Sequence, residues 1–302
     1  MRKSSRAAKR ERFWLNGRFV SESGARVSVL DRGVLYGDAL YEVVRFYRRK
    51  IFLLDEHLDR LFGEAKAIAL PERFGREAIA RAVRGLVARS EKPDGLVLLQ
   101  WTRGEGPRRL APPPGLRGTV FAVRLDLPMI PAALRRRGAD VVTLPDERWL
   151  STHLKSTNLL ASVLARGRAD EAGAHEAVLH RGRGPRARVT EATSSSFFLV
   201  KRGRLVTPAV RGLLPGITRS VVLAVAREEG IPIEERTVRL GEIREADEAF
   251  LTATSAEVLP IGRVNGASLR LPAPGPVTRR LGLAFARFRR RVLAKTPRIA
   301  PL

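Results

Sequence analysis

The chain has no cysteine, which excludes disulfide staples, thiolate metal sites and a cysteine nucleophile. Lysine is nearly as scarce, at eight of 56 basic residues. The arginine that replaces it cannot lose its proton near neutral pH, so chemistry that needs a free amine is confined to very few positions. Long apolar runs are missing as well. Stretches such as residues 96–99 and 220–226 fall far short of the roughly 20 residues that span a bilayer, and no apolar stretch follows the basic start. The four histidines, His57, His153, His175 and His180, show no zinc-ligand spacing, so no metal site is expected. No internal repeat is visible.

What is present describes a globular, soluble chain of 302 residues, 44% hydrophobic and 29% charged, long enough for one large or two medium domains. A cytoplasmic location is expected, with no membrane partner. The formal charge of +25 raises nucleic acid as a partner. The arginine bias, however, has the look of a GC-rich genome, and much of the excess lies in residues 1–12 and 287–298. Net charge bears on solubility and non-specific binding rather than on a site, so no specific nucleic-acid partner is expected.

Residues 1–12 read as a basic disordered arm. Residues 13–20 read as strand, Asn-Gly turn, strand, and 40–47 as another strand, with Arg48-Arg49-Lys50 turning into 51–54. Asp55 is placed as the cap of a helix whose Leu58, Leu61, Phe62, Ala65 and Ala69 form an apolar stripe, with Arg60 just off it. A second helix covers about 76–90, and strands at 96–102 and 119–125 flank the Gly- and Pro-rich 104–118. Leu127-Pro128-Met129-Ile130-Pro131 is a proline-stiffened linker. The expected domains are thus a small α/β domain over 13–127, a linker over 128–133 and a larger domain over 134–302. In the larger one, a β-like run at 140–144 leads through a polar turn to a helix over 156–172 with Leu159, Leu160, Val163 and Leu164 on its apolar side. A helix over 216–229, a strand at 248–252 and a closing helix from Pro276 follow. Two mixed α/β domains place a small-molecule site in the cleft between them.

Lys155 stands at the start of that helix, in Thr152-His153-Leu154-Lys155-Ser156-Thr157-Asn158-Leu159-Leu160. An isolated lysine there is ordinarily just solvated, but four further features point to an anionic aromatic cofactor. Leu213-Leu214-Pro215-Gly216-Ile217-Thr218-Arg219 is a glycine turn opening a helix, whose unpaired amides and Thr218 hydroxyl make a phosphate cup. The strand at 250–252 runs into the hydroxyl-rich turn around Thr254. Arg60 is a fixed positive charge for the same phosphate. Glu191, in Val189-Thr190-Glu191-Ala192-Thr193-Ser194-Ser195-Ser196, is a carboxylate at a strand end that would keep a pyridine nitrogen protonated. Taken singly, each has an ordinary reading as an N-cap, a turn or a solvated side chain.

Together and in this order they resemble the class IV pyridoxal-phosphate aminotransferases over residues 13–288. The resemblance rests on Asp31-Arg32-Gly33-Val34-Leu35-Tyr36-Gly37-Asp38-Ala39-Leu40-Tyr41-Glu42, on Glu56-His57-Leu58-Asp59-Arg60-Leu61, and on the Lys155, Glu191, Gly216 and Thr254 segments. It implies the two-domain α/β fold of that class (fold type IV of the pyridoxal-phosphate enzymes) and a homodimer whose active sites are each completed by the partner. It implies pyridoxal 5'-phosphate as cofactor, with Lys155 bound to its aldehyde and shuttling the α proton. Glu191 would face the pyridine nitrogen, and Leu214 would pack on the ring. Arg60, Ile217, Thr218 and Thr254 would hold the phosphate, and Tyr41 would line the substrate side.

Within the class, His153-Leu154-Lys155-Ser156-Thr157-Asn158-Leu159-Leu160 and Pro274-Gly275-Pro276-Val277-Thr278 look most like the D-amino-acid transaminase branch. There a Pro-Arg-X-His segment of the neighbouring subunit takes the substrate carboxylate. This chain has Pro107-Arg108-Arg109-Leu110, so Arg108 matches and Leu110 stands in place of the histidine. The expected reaction moves an amino group between an amino acid, D-alanine-type favoured, and a 2-oxo acid by a ping-pong route. The alternatives are a branched-chain L-amino-acid aminotransferase, an aminodeoxychorismate lyase, and a basic binding protein that keeps the fold without the activity.

Overall fold

A computed structural model describes residues 12–301. The expected arm over 1–12 lies outside them except for Arg12, whose carbonyl accepts from the Arg124 amide at 2.9 Å. The chain divides into two compact units. Unit 1 comprises Met1–Pro128, Leu154–Asn158 and Arg291–Leu302, and unit 2 comprises Met129–His153 and Leu159–Arg290. A continuous second domain over 134–302 therefore runs across both units, because the lysine segment and the C-terminal residues pack with unit 1.

Unit 1 opens with β1 (Phe13–Leu15) and β2 (Arg18–Val20), joined through Asn16 and Gly17 at φ 47° and 97°. Two successive left-handed residues fit the right-handed strand twist, and asparagine and glycine adopt them at least cost. The short helix α1 (Arg32–Tyr36) precedes β3 (Ala39–Tyr47), and β4 (Lys50–Ile51) follows a second tight turn. The helices α2 (Leu54–Ala67) and α3 (Arg76–Ala88) come next, then β5 (Gly95–Thr102) and β6 (Thr119–Leu125). The strands form one antiparallel sheet in the order β2-β1-β6-β5-β3-β4. One face of α2 buries Leu58, Leu61 and Ala65 in a core with Leu40, Phe46, Ile79, Leu86, Leu99 and Trp101. Each such leucine contributes on the order of 2 kcal/mol by burial. Asp55 is not the cap of α2. The capping position is Leu53, in the left-handed conformation at φ 53°, and Asp55 lies in the first turn, where its charge complements the helix dipole.

Unit 2 begins with α4 (Ala132–Arg137), β7 (Ala139–Pro145), α5 (Leu160–Glu171) and β8 (Glu176–Arg181). It continues through β9 (Arg188–Ala192), β10 (Ser196–Lys201), β11 (Arg204–Pro208), α6 (Ile217–Glu228), β12 (Ile233–Arg236), β13 (Val238–Arg239) and α7 (Glu242–Glu245). The last elements are β14 (Glu248–Ala253), β15 (Glu257–Val264), β16 (Ala267–Ser268) and α8 (Pro276–Lys295), whose final turns count with unit 1. Its sheet runs β12-β11-β10-β14-β15-β7-β8-β9-β13, with β16 on β15. Phe197, Leu199, Val206, Leu251, Leu259 and Ile261 form its core.

The helix expected over 156–172 starts only at Leu160, and its supposed apolar stripe faces outward. Leu160, Val163 and Leu164 are 72%, 61% and 51% exposed, while α5 buries Ser162, Ala165 and Ala169. The small side chains let α5 pack closely with Ala174, Ala177 and Leu179, which the leucine spacing alone does not reveal. The first turn is lost because Leu154–Asn158 is drawn into unit 1: Tyr41 donates its amide to the Lys155 carbonyl at 2.9 Å, and Thr157 donates to the Ala39 carbonyl at 3.1 Å.

Candidate active site

In unit 1, three of the expected residues collect at the start of β3. Lys155 and Tyr41 are fixed to each other by the backbone bond just described, and the Lys155 Nζ lies 4.2 Å from the Tyr41 ring centroid. The aromatic face attracts the ammonium without removing it from reach of a reactant. Glu42, next in the strand, turns into the core. Its Oε1 accepts from Arg60 Nε at 2.6 Å, and its Oε2 bonds Arg60 Nη2 at 2.9 Å and His57 Nδ1 at 2.7 Å. Burial pushes Glu42 upward, but the His57 and Arg60 bonds outweigh it and bring the carboxyl down to about 2. The paired bonds fix the plane of the Arg60 guanidinium.

Glu64, one turn beyond Arg60 on α2, accepts the Lys155 amide through Oε2 at 2.7 Å, while its Oε1 is buried with no hydrogen-bond partner. Burial holds this carboxyl above its ordinary range, opposed by the Lys155 amide bond and the Arg60 charge. Arg108 stands outside this group, exposed on the β5–β6 loop with Leu110 82% exposed beside it.

Unit 2 gathers a second set. Glu191 is buried near the end of β9, where its Oε1 accepts from Arg148 Nη1 at 2.7 Å. Arg148 also grips Asp146 through Nε at 2.9 Å and Nη2 at 3.1 Å. Glu191 lines a small pocket with Ser196, Phe197, Leu213 and Leu214. A Cβ at Gly216 would meet the Oγ of the lining residue Ser196 at 2.8 Å and would have to push it aside. Gly216 opens α6 with no side-chain cap, leaving the first amides at Ile217 and Thr218 for an anion. Thr218 is buried at this end, and α6 lies against β14, which carries Thr254 in the turn beyond it. The buried Thr252 hydroxyl on β14 has no hydrogen-bond partner. An uncapped helix end, a buried threonine hydroxyl and an ion-paired carboxylate beside a leucine-walled pocket fit the phosphate, ring and ring nitrogen of a phosphorylated pyridine.

The residues that sequence reasoning missed are Glu42, His57 and Glu64 in unit 1 and Asp146 and Arg148 in unit 2. His57 and Arg60, three apart on one helix with a strand carboxylate upstream, carried a signal that could have paired them. Arg148, in an irregular turn, carried none.

The sequence model of the family Amino-transferase class IV matches residues 39–264. The chain is 38% identical over 275 residues to the D-alanine aminotransferase of Listeria monocytogenes serotype 4b (strain F2365), covering 90% of this chain and 93% of the relative. The branched-chain amino acid aminotransferase of Escherichia coli superposes with a TM-score of 0.85 at 26% identity, over 92% of this chain and 94% of that one. The T.th. branched-chain amino acid aminotransferase with pyridoxamine 5'-phosphate gives 0.83 at 27% identity, over 91% and 92%. The chain belongs to the class IV aminotransferases, a family of pyridoxal-phosphate-dependent enzymes with amino acid and 2-oxo acid substrates, and it is a transaminase with the two-unit α/β fold of that class. Among the described residues, no helix is long and apolar enough to cross a membrane.

Proposed function

We propose that the protein transfers amino groups from D-alanine-type amino acids to 2-oxo acids with pyridoxal 5'-phosphate, as a cytoplasmic homodimer. The observation that carries the reading is Lys155, an amine lodged over the Tyr41 ring and tied by its backbone to β3 and Glu64. The cofactor, when bound, supplies an aldehyde to link amines and a ring to accept electrons. Arg60, the Ile217 and Thr218 amides, the Thr218 hydroxyl and Thr254 would hold its phosphate. Leu214 would pack on the ring, and Glu191, backed by Arg148, would face the ring nitrogen and keep it protonated. With the cofactor in place, the Lys155 amine would serve as the base that takes the substrate's α proton and holds it for return. Tyr41 walls the substrate side, and Arg108 from the second subunit takes the carboxylate.

A second copy as partner is supported by exposed apolar side chains in both units. Val29, Val34 and Leu110 are exposed in unit 1, and Leu160, Val163 and Leu164 are exposed on α5 of unit 2. The test is a steady-state panel of D- and L-amino acids with pyruvate and 2-oxoglutarate, with aminodeoxychorismate as a separate substrate. The reading expects D-alanine to be the better donor. Preference for L-leucine, or turnover confined to aminodeoxychorismate, would overturn the branch while leaving the class intact.

A further inference from the structure

The connection from β5 to β6 is long. Sixteen residues lie between Thr102 and Thr119, and a loop of this length is usually either functional or poorly ordered. This one is tied down on both flanks of Arg108 by one side chain and its neighbours. Arg32, the first residue of α1, donates its amide to the Gly104 carbonyl at 2.9 Å, and the Gly106 amide donates to Leu30 at 3.3 Å. Beyond Arg108, the Arg32 guanidinium reaches the chain again: Nη1 donates to the Arg109 carbonyl at 2.7 Å and Nη2 to the Leu110 carbonyl at 2.8 Å.

The guanidinium is itself fixed. Its Nε donates to Asp38 Oδ2 at 2.9 Å, it lies 4.7 Å from the Tyr36 ring centroid, and Arg32 is only 3% exposed. Asp38 is held in turn by Arg103, whose Nε donates to the same oxygen at 2.7 Å and whose other nitrogens bond the Ile68 and Ala69 carbonyls. A buried, fully engaged arginine therefore carries a stretch of backbone whose own side chains, from Pro107 to Leu110, are exposed. Stabilising unit 1 alone would not require the fork to seize two consecutive carbonyls directly after Arg108.

We propose that Arg32 is a positioning residue for substrate: its fork on the Arg109 and Leu110 carbonyls holds the Arg108 loop in the conformation that binds the carboxylate of the amino acid and of the 2-oxo acid. The proposal rests on the reading of Arg108 given above and deepens it. The guanidinium places three separate nitrogens on Asp38 and the two carbonyls, whereas a lysine offers one nitrogen that cannot sit at all three positions, so Arg32→Lys keeps the charge and loses the clamp.

The experiment combines amide hydrogen exchange with steady-state kinetics on the cofactor-loaded enzyme. Arg32→Lys should speed exchange at residues 105–110 and raise KM for both substrates about tenfold, with kcat within about threefold and the cofactor absorbance unchanged. In an Arg108→Ala background, Arg32→Lys should add no further rise in KM. Asp38→Asn, which frees the guanidinium from its other side, should act in the same direction and serves if Arg32→Lys does not fold. Unchanged loop exchange, or a KM effect that persists in full without Arg108, would overturn the clamp. If Arg108→Ala itself leaves both KM values unchanged, the reading of Arg108 fails and the proposal falls with it. If Arg108→Ala raises them and neither clamp variant does, the clamp alone fails.

Discussion

Arg148 joins Glu191 at 2.7 Å while its other nitrogens hold Asp146, and Asp146 also pairs with Arg181 at 3.3 Å. Two carboxylates and two guanidiniums thus form a neutral cluster around a carboxylate that is almost wholly buried. The arrangement resolves a conflict in the chemistry. A carboxylate facing a ring nitrogen has to be ionised and dry, and a dry carboxylate without a counter-charge takes up a proton instead. Asp146 is kept ionised against its burial by the Arg148 bonds, so the arginine is itself anchored and not drawn out to solvent.

Removing Arg148 should therefore do more harm than removing an exposed arginine. Arg148→Met takes a guanidinium from two buried carboxylates and leaves Arg181 on Asp146, and a loss of about 3 kcal/mol in unfolding free energy is expected. Glu191→Gln is the milder change for the fold. It should retain the cofactor and lose on the order of 100-fold in turnover, the scale of deleting one preorganised electrostatic group. Urea unfolding and single-turnover kinetics measure the two separately. A Glu191→Gln enzyme with full turnover would make the carboxylate purely structural.

Borohydride reduction of the cofactor-loaded protein should leave the cofactor on the peptide containing Lys155 and on no other. A linkage between lysine and an aldehyde reduces to a stable secondary amine, whereas a cofactor held only by Arg60, Thr218 and Thr254 washes away on denaturation. The seven other lysines serve as internal controls, and labelling of any of them in place of Lys155 would remove the basis of the site.

The residues proposed to touch the cofactor stand out in the sequence because their chemistry is restrictive. A lone lysine among arginines, a glycine opening a helix and a carboxylate at a strand end each leave a local trace. The strands of unit 1 were readable for a similar reason, since alternation and Asn-Gly turns are local. Supporting contacts such as Arg148 with Glu191, or Glu64 with the Lys155 amide, join residues 43 and 91 positions apart and have no periodic signature. The misreading of α5 has the same origin. Leucines at helical spacing mark an apolar face, and only tertiary packing decides whether that face meets the protein's own sheet or is left exposed.

Two carboxyls beside Lys155 should give opposite pH signatures. Glu42 is held at about 2 against an ordinary 4.5, so its contribution to stability is fully present above 4.5 and is lost as the pH falls toward 2. Glu64 is raised, so the folded state binds its proton more tightly than the unfolded chain does. Its contribution is present below 4.5 and is lost as the pH rises through the folded value. Glu42→Gln should flatten the acid limb of the stability profile and destabilise the protein at pH 7, by about 3 kcal/mol, because Arg60 and His57 lose their partner. Glu64→Gln should remove the decline above 4.5 while its amide oxygen still accepts from Lys155. Parallel profiles for wild type and both variants would contradict the assignment.

The second subunit can be tested by complementation. The Lys155→Ala homodimer should be inactive, and the Arg108→Ala homodimer, impaired through KM, should turn over little at low substrate. A mixed dimer should regain activity, because if Arg108 serves the partner's site, one of its two sites holds both groups intact. The same geometry gives Leu110 a role that its 82% exposure in the single chain makes accessible to a partner. Leu110→His restores a donor without disturbing the Leu110 carbonyl held by Arg32, and it should lower KM for small D-amino acids by roughly 1 kcal/mol in binding. Absence of activity in the mixed dimer would place Arg108 in its own subunit's site or outside both. An unchanged KM would mean that position 110 does not face the carboxylate.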